Sequence, residues 1–335
     1  MEGNHLDTIC DGRHLCAGAT FSLDSGTVWV LVDLTEEKVA KLWWSDRQQD
    51  AGAAPTYDER APQDCGTTIH LDRDGWSLDY LTTPSDALRV SNVWYNYNGV
   101  ESRQVASSIK LLEWHAHYPG NWGYVDYTGC GATGGGHGFP IYPYGVTQVR
   151  NLYDPNTDAY VGFEVVQDFR MGNWGQFCNY RYEQHFQFYT DGRWRVVTGS
   201  YGRGCGNGTD SEATYRPIVR IDVAVNGDDG DSFSAWDGLG WPELASEQWY
   251  LQGPPYTSQG YRYRVTDQSG DGFYIEPGQG QFDDGGTGDN AYLYVTQHHA
   301  SEGEPDMPSI GVCCNNNYQH GPHNYLNGES VVSQN

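Results

Sequence analysis

The sequence predicts an all-β protein of short strands joined by tight turns, and three observations carry that expectation. Aromatic residues are plentiful, with 12 Trp, 25 Tyr and 10 Phe, and strands favour such side chains. Gly is abundant at 43 residues and recurs with Asp and Asn between the apolar runs, as turn residues do. The alternating segments are short, with no heptad pattern, internal repeat or long helical run among them. At 335 residues the chain can bury a sizeable core in one large β domain or two ordinary ones. Its aromatic content also argues against disorder.

Taken in order, Cys10 and Cys16 frame a polar, Gly-containing segment that reads as a small stapled loop. Strands follow at about 26–34 and 37–45, and the Gly/Ala/Pro/Gln stretch at 48–64 reads as a surface loop or linker. This divides an N-terminal segment, 1–64, from a main β domain, 65–335. Two alternating runs then flank Asp74-Gly75, a pair suited to a type I′ hairpin turn. Further strands run through LRVSNVWYNYN and RQVASSIKLLEWHAHY, while 129–145 is Gly-rich and reads as turns alone. A short helix is expected over 242–250, with Pro242 at its start.

The segment 178–205 is the most informative. Asp191-Gly192 sits between two aromatic-rich strands, and a two-residue turn there places Cys178 opposite Cys205, spaced for a cross-strand disulfide. Alternation puts Tyr180, Tyr182, Gln184, Phe186 and Phe188 on the inward face. Asn179, Arg181, Glu183, His185 and Gln187 fall on the other.

The net charge of −25, from 44 acidic and 19 basic residues, repels nucleic acid and anionic lipid surfaces. No apolar stretch reaches the length of a membrane span. The same field favours small cationic ligands such as amines and divalent metals. Eight Cys, none in C-x-x-C spacing, point to disulfides and to a secreted, extracellular or periplasmic place. The sequon Asn207-Gly208-Thr209 is compatible with export, and the expectation is that a leader has been removed ahead of Met1. Adjacent Cys313 and Cys314 are each expected to pair elsewhere, with Cys65 and Cys130 as candidates.

The Asn179-Tyr180-Arg181-Tyr182 run, with Asp191-Gly192 and Val197-Thr198-Gly199 after it, resembles the cofactor-bearing strand pair of the copper amine oxidases. Short matches in the same order extend from about residue 75 to 330: Ser108 through Tyr118, Arg220 through Gly227, and Leu293 through Thr296 followed by Glu302. The resemblance implies a large antiparallel β-sandwich like that family's catalytic domain. It also implies primary-amine oxidation through copper and a quinone derived from Tyr180. Asn179 would sit beside the cofactor, Tyr182 would line the pocket and Asp126 would serve as base after a local shift from Gly123. The sequence departs from the family where its His-x-His copper pair would fall, at Ala213 and Tyr215, and Arg181 stands in place of an acidic residue. The third copper ligand is expected beyond Asn335.

His115-Ala116-His117 is the one His-x-His in the chain, and on a strand both rings share a face. With His185, His298 or His299 as third member they form a candidate metal set, His185 being the first choice; the alternative is two surface or half-buried histidines next to Trp114. Asp267-Gln268-Ser269-Gly270-Asp271-Gly272 begins like a calcium loop, but Glu276 falls at the tenth position rather than the twelfth. Trp43, Trp44, Trp76, Trp94, Trp122, Trp174 and Trp194 are candidates for a glycan- or protein-binding surface, with packing in a large core as the alternative. Two readings therefore stand. One is a divergent oxidase-like protein that acts on or binds amines near Tyr180. The other is a non-catalytic binding or assembly protein with a glycan, a protein or its own copy as partner.

Overall fold

The computed structural model describes residues 16–23, 26–33, 35, 37–46, 65–84, 87–97, 99, 101–117, 124–130, 140–171, 174, 179–202, 214–227, 230–276, 291–298, 326 and 328–331. The regular elements among them are all strands. The chain divides into two compact units, residues 1–58 with 281–286 and residues 59–280 with 287–335.

The first unit holds β1 (Cys16–Leu23), β2 (Gly26–Asp33) and β3 (Lys38–Asp46), an antiparallel meander with β2 in the middle. Asp33 closes the second hairpin, its buried carboxylate accepting the Thr35 N–H at 2.9 Å.

The second unit opens with β4 (Ile69–Arg73), β5 (Trp76–Thr82), β6 (Leu88–Tyr97) and β7 (Glu101–His117). Then come β8 (Tyr124–Thr128), β9 (Pro140–Tyr153), β10 (Tyr160–Arg170), β11 (Tyr180–Tyr189), β12 (Trp194–Gly202) and β13 (Thr214–Val223). From β4 to β12 each strand pairs with the next in sequence, and β13 adds to β7. All these pairings are antiparallel except the short one between β8 and β9. The two halves of this path face each other. Trp76 on β5 meets Phe188 on β11 at 5.1 Å between ring centroids, and Trp114 on β7 stacks on Tyr182 at 4.6 Å. A polar tie crosses the same core, the Leu88 N–H donating to Gln184 Oε1 at 3.1 Å. The architecture is thus an antiparallel β-sandwich filled by Trp76, Leu78, Leu88, Ile109, Phe163 and Phe186 with their neighbours.

Asp74-Gly75 forms the expected two-residue turn, with Arg73 opposite Trp76 and φ of 53° and 83° at the two turn residues. The second hairpin differs from expectation by one residue. Phe188 pairs with Trp194, and the Tyr189 N–H bonds the Arg193 carbonyl, so Thr190, Asp191 and Gly192 form a three-residue loop. Gly192 has φ 87°, and its α-carbon lies so close to Tyr95 that an added Cβ would fall 2.7 Å from the ring. A left-handed Gly in third place is the usual closure of such a loop. The register that set Cys178 opposite Cys205 is therefore displaced, and both cysteines lie outside the described residues. Cys65 and Cys130 pair with each other, so neither is a partner for Cys313 or Cys314.

Two further expectations fail. Residues 140–145 belong to β9 rather than to a turn, because a bulge absorbs Gly145 at φ 72° between the pairs Tyr144/Asp168 and Gln148/Val166. Gln167 satisfies the bulge, its Nε2 donating to the carbonyls of Tyr144 and Gly145 while its Oε1 accepts from Thr147. The segment 242–250 is extended, not helical. Glu243 bridges to Ser234, Ser246 bridges to Ser330, and β15 (Gln248–Leu251) pairs with β18 (Tyr292–Val295). Nine residues form a marginal helix alone, and strand partners on both flanks satisfy the same backbone groups. Beside them, β14 (Ser232–Ala235), β16 (Tyr263–Thr266) and β17 (Gly272–Ile275) form a small antiparallel sheet over Val225, Phe233, Tyr263 and Val265.

Candidate functional site

On the hairpin of β11, alternation works as expected. Tyr180 and Tyr182 are 4% and 0% exposed, and Gln184, Phe186 and Phe188 are buried with them. The two tyrosine rings lie 6.3 Å apart and nearly parallel, with Trp114 continuing the stack. Two polar atoms in this core have no hydrogen-bond partner, Trp114 Nε1 and Gln184 Nε2. Asn179, just before the strand, is half-buried.

The opposite face of the same strands carries a polar ladder. Arg181 Nε donates to Asp168 Oδ1 at 3.0 Å and its Nη2 to Glu183, while Arg170 grips Asp168 Oδ2 and lies over the Tyr144 ring. His185 Nδ1 meets Glu164 Oε2 at 2.9 Å, and Nε2 lies 3.5 Å from Glu183. Gln187 Nε2 donates to the same Glu164 oxygen at 3.0 Å. Burial alone would raise the Glu164 carboxyl, but His185, Gln187 and the Arg150 charge outweigh it and hold it below its usual value.

That depression sets a pH dependence. A carboxyl lowered in the folded state stabilises fully above its unfolded value, 4.5, and the contribution fades as pH falls through the folded value. Urea midpoints followed from about pH 6 to about pH 3 should therefore drop more steeply for the native chain than for Glu164→Gln. Parallel curves for the two would refute this account of the ladder.

Of the candidate metal set, only the His185 and His298 side chains are among those described. His185 spends both ring nitrogens on carboxylates. His115 and His117 stand on β7, opposite Arg216 and Thr214 of β13, and their side chains lie outside what is described. Asp126 pairs with Trp114 across β7 and β8, and its side chain is likewise outside. No group of three His, Cys, Asp or Glu among the described residues is placed to hold a metal ion. Ala213 lies outside the described residues, and Tyr215 is no imidazole. Among the described residues, no three imidazoles are placed as a copper centre needs.

In the candidate calcium loop the carboxylates are taken up locally. Asp267 Oδ1 accepts from the Ser269 and Asp271 N–H groups at 2.8 and 2.9 Å, and Oδ2 accepts from Asn226 at 2.6 Å. Asp271 is paired with Arg103. The loop is the tight turn that joins β16 to β17.

A further aromatic row, absent from the sequence-based candidates, joins the exposed Tyr274 to the half-buried Trp236, Trp241 and Tyr261. On the outer side of the β14–β16–β17 sheet, Trp236 meets Trp241 at 5.4 Å, Trp241 meets Tyr274 at 5.7 Å, and Tyr274 stacks on Tyr261 at 4.2 Å. Arg264 caps Trp241 at 4.7 Å from the ring centroid, and Tyr274 is 49% exposed. The turn carrying the two Trp is fixed by Asp237, whose Oδ1 accepts the Leu239 and Gly240 N–H groups at 2.7 Å each. A signal existed in the sequence. Two Trp flanking a Gly-Leu-Gly turn belong to no alternating strand face that would bury them. Of the Trp singled out beforehand whose side chains are described, Trp76 is buried, Trp174 and Trp194 are half-buried, and Trp94 is exposed. Trp122 lies outside the described residues, as do the side chains of Trp43 and Trp44.

Fold and surface together define an all-β, antiparallel sandwich protein with an appended small sheet bearing an aromatic row. No family model matches the chain, and no curated protein matches it. Among solved structures it is similar to a copper-containing benzylamine oxidase from Hansenula polymorpha, at 11% identity and a TM-score of 0.45, covering 100% of this chain and 76% of that one. At that level no residue role passes from the enzyme to this chain.

Proposed function

We propose that this chain is a non-catalytic extracellular binding protein that takes a glycan on its aromatic row. The observation that carries this reading is the run of Trp236, Trp241, Tyr274 and Tyr261 along one face of the small sheet. Sugar rings present flat C–H faces, and aromatic faces supply the matching apolar contact, with Arg264 beside Tyr274 in the ladder as a polar neighbour. The Cys65–Cys130 disulfide supports an oxidising compartment.

An amine-handling role around Tyr180 rests on the Asn179-Tyr180 motif. Against it, both tyrosines of that motif are core rings stacked under Trp114. Glycan-array binding followed by titration tests the proposal. Trp241→Ala should weaken binding about three- to tenfold, the worth of one aromatic contact, while the unfolding midpoint moves little. Peroxide release on adding primary amines, or unchanged glycan binding by the variant, would sink it.

A further inference from the structure

Leu239 is the most exposed large apolar side chain among the described residues, at 93%, and it stands at the tip of a closed turn. That turn, Trp236 through Trp241, follows β14, and the stretch Gly253 through Tyr261 leads towards β16, so the strand pairing sets both at one end of the small sheet. They meet there: a Cβ added to Gly238 would lie 3.9 Å from Pro255, and the next residue, Tyr256, is 46% exposed. Between them the two stretches carry one charged side chain, Asp237, in a chain where 19% of residues are charged. Their backbone donors are used internally to an unusual extent. Asp237 Oδ1 accepts the Leu239 and Gly240 N–H groups, and the Asp237 N–H donates to the Gly240 carbonyl at 3.2 Å. The Thr257 N–H donates to the Tyr261 carbonyl, the Gly260 N–H to the Thr257 carbonyl and the Tyr261 N–H to Thr257 Oγ1, at 2.8, 3.0 and 3.1 Å. Pro254 and Pro255 have no N–H to satisfy. Backbone amides that are already bonded leave water at little cost, whereas free ones resist it strongly.

We infer that this end of the small sheet is an anchor for a zwitterionic lipid surface. Leu239 enters the outer part of the acyl layer, and Tyr256, Trp236 and Trp241 lie behind it at headgroup level, where Trp and Tyr rings are favoured. The inference goes beyond the glycan-binding reading, since it uses the tip of the turn rather than the row along the sheet face. A turn held by its own hydrogen bonds presents Leu239 without further ordering on contact. The lipid is zwitterionic because the chain carries −25 overall and because acids stand at this end of the sheet. Asp237 is held ionised by the Leu239 and Gly240 N–H groups, and Glu276 follows the last residue of β17. Both repel anionic headgroups. One leucine with its neighbouring rings makes a weak, reversible attachment, since even a single long acyl chain gives no more than that.

Flotation of the whole chain with phosphatidylcholine vesicles tests the inference, together with quenching of tryptophan emission by vesicles that carry brominated acyl chains. The native chain should float and lose part of its emission, and adding phosphatidylglycerol should weaken the binding. Leu239→Asp should reduce vesicle binding about tenfold or more, the worth of one buried leucine side chain. Its unfolding midpoint should stay at the native value, because the side chain packs on little in the free protein. Leu239→Phe should bind vesicles as the native chain does. Glycan binding should be the same in Leu239→Asp as in the native chain, so failure of the anchor and failure of the glycan reading are seen separately. Native-like vesicle binding by Leu239→Asp, tighter binding to phosphatidylglycerol, or no flotation at all overturns the anchor. Self-association that Leu239→Asp abolishes, in a chain that does not float, overturns it in favour of a contact between copies.

Discussion

Trp76→Ala is expected to destabilise the sandwich unit by about 3–5 kcal/mol, the range for emptying a large aromatic site in a packed core. Trp76 is 1% exposed and links the two layers, with Tyr95 at 4.5 Å and Phe188 at 5.1 Å between centroids. Its Nε1–H donates to the Tyr189 carbonyl at 2.9 Å, tying β5 to the loop of the β11–β12 hairpin. That carbonyl also accepts the Gly192 N–H at 3.1 Å, so losing the indole does not strip it of every partner. Trp76→Phe keeps one ring in place but loses this bond and three heavy atoms of the indole, and should cost less, about 1–3 kcal/mol. Urea unfolding of the three proteins decides the matter. If the Ala and Phe variants shift the midpoint equally, packing is not what Trp76 supplies.

Replacing Cys65 and Cys130 together by Ser should cost about 4 kcal/mol, making this the second large effect. The bond closes a separation of 65 residues, and the chain-entropy expression gives that magnitude for a loop of this length. It joins the segment ahead of β4 to the turn after β8, with both flanks anchored on the end of β5. Gly66 N–H bonds the Thr82 carbonyl at 2.8 Å, and Cys130 N–H bonds the Thr83 carbonyl at 3.0 Å. Those backbone bonds remain in the Ser variant, so its folded state should keep its near-ultraviolet signature while unfolding at lower urea. A midpoint equal to that of the native chain would mean that the unfolded ensemble gains nothing from release of the loop.

The two hairpins show where local sequence suffices and where it does not. Asp74-Gly75 specifies its turn alone, because both residues accept positive φ and the flanking strands alternate cleanly. Thr190-Asp191-Gly192 is compatible with a two- or a three-residue loop. Its register is settled by a distant residue, Tyr95, whose ring lies on Gly192 and whose hydroxyl donates to the Thr190 carbonyl at 3.1 Å. The extended form of 242–250 has a similar origin, since its partners Ser330 and β18 come much later in the chain.

By itself, then, the sequence determined the all-β class, most strand positions and the inward face of β11, because alternation and turn chemistry are short-range properties. Burial of Tyr180 and Tyr182 was legible in that alternation, and so was the polar character of the face bearing Arg181, Glu183 and His185. Only the tertiary structure decided which side chains meet. It paired Cys65 with Cys130, gave His185 to Glu164, gave the Asp267 and Asp271 carboxylates Asn226 and Arg103 as distant partners, and lined up Trp236, Trp241, Tyr274 and Tyr261 along one face of the small sheet. Those contacts join residues from separate strands and loops. Their partners are fixed by how sheets pack and register, which no local pattern encodes.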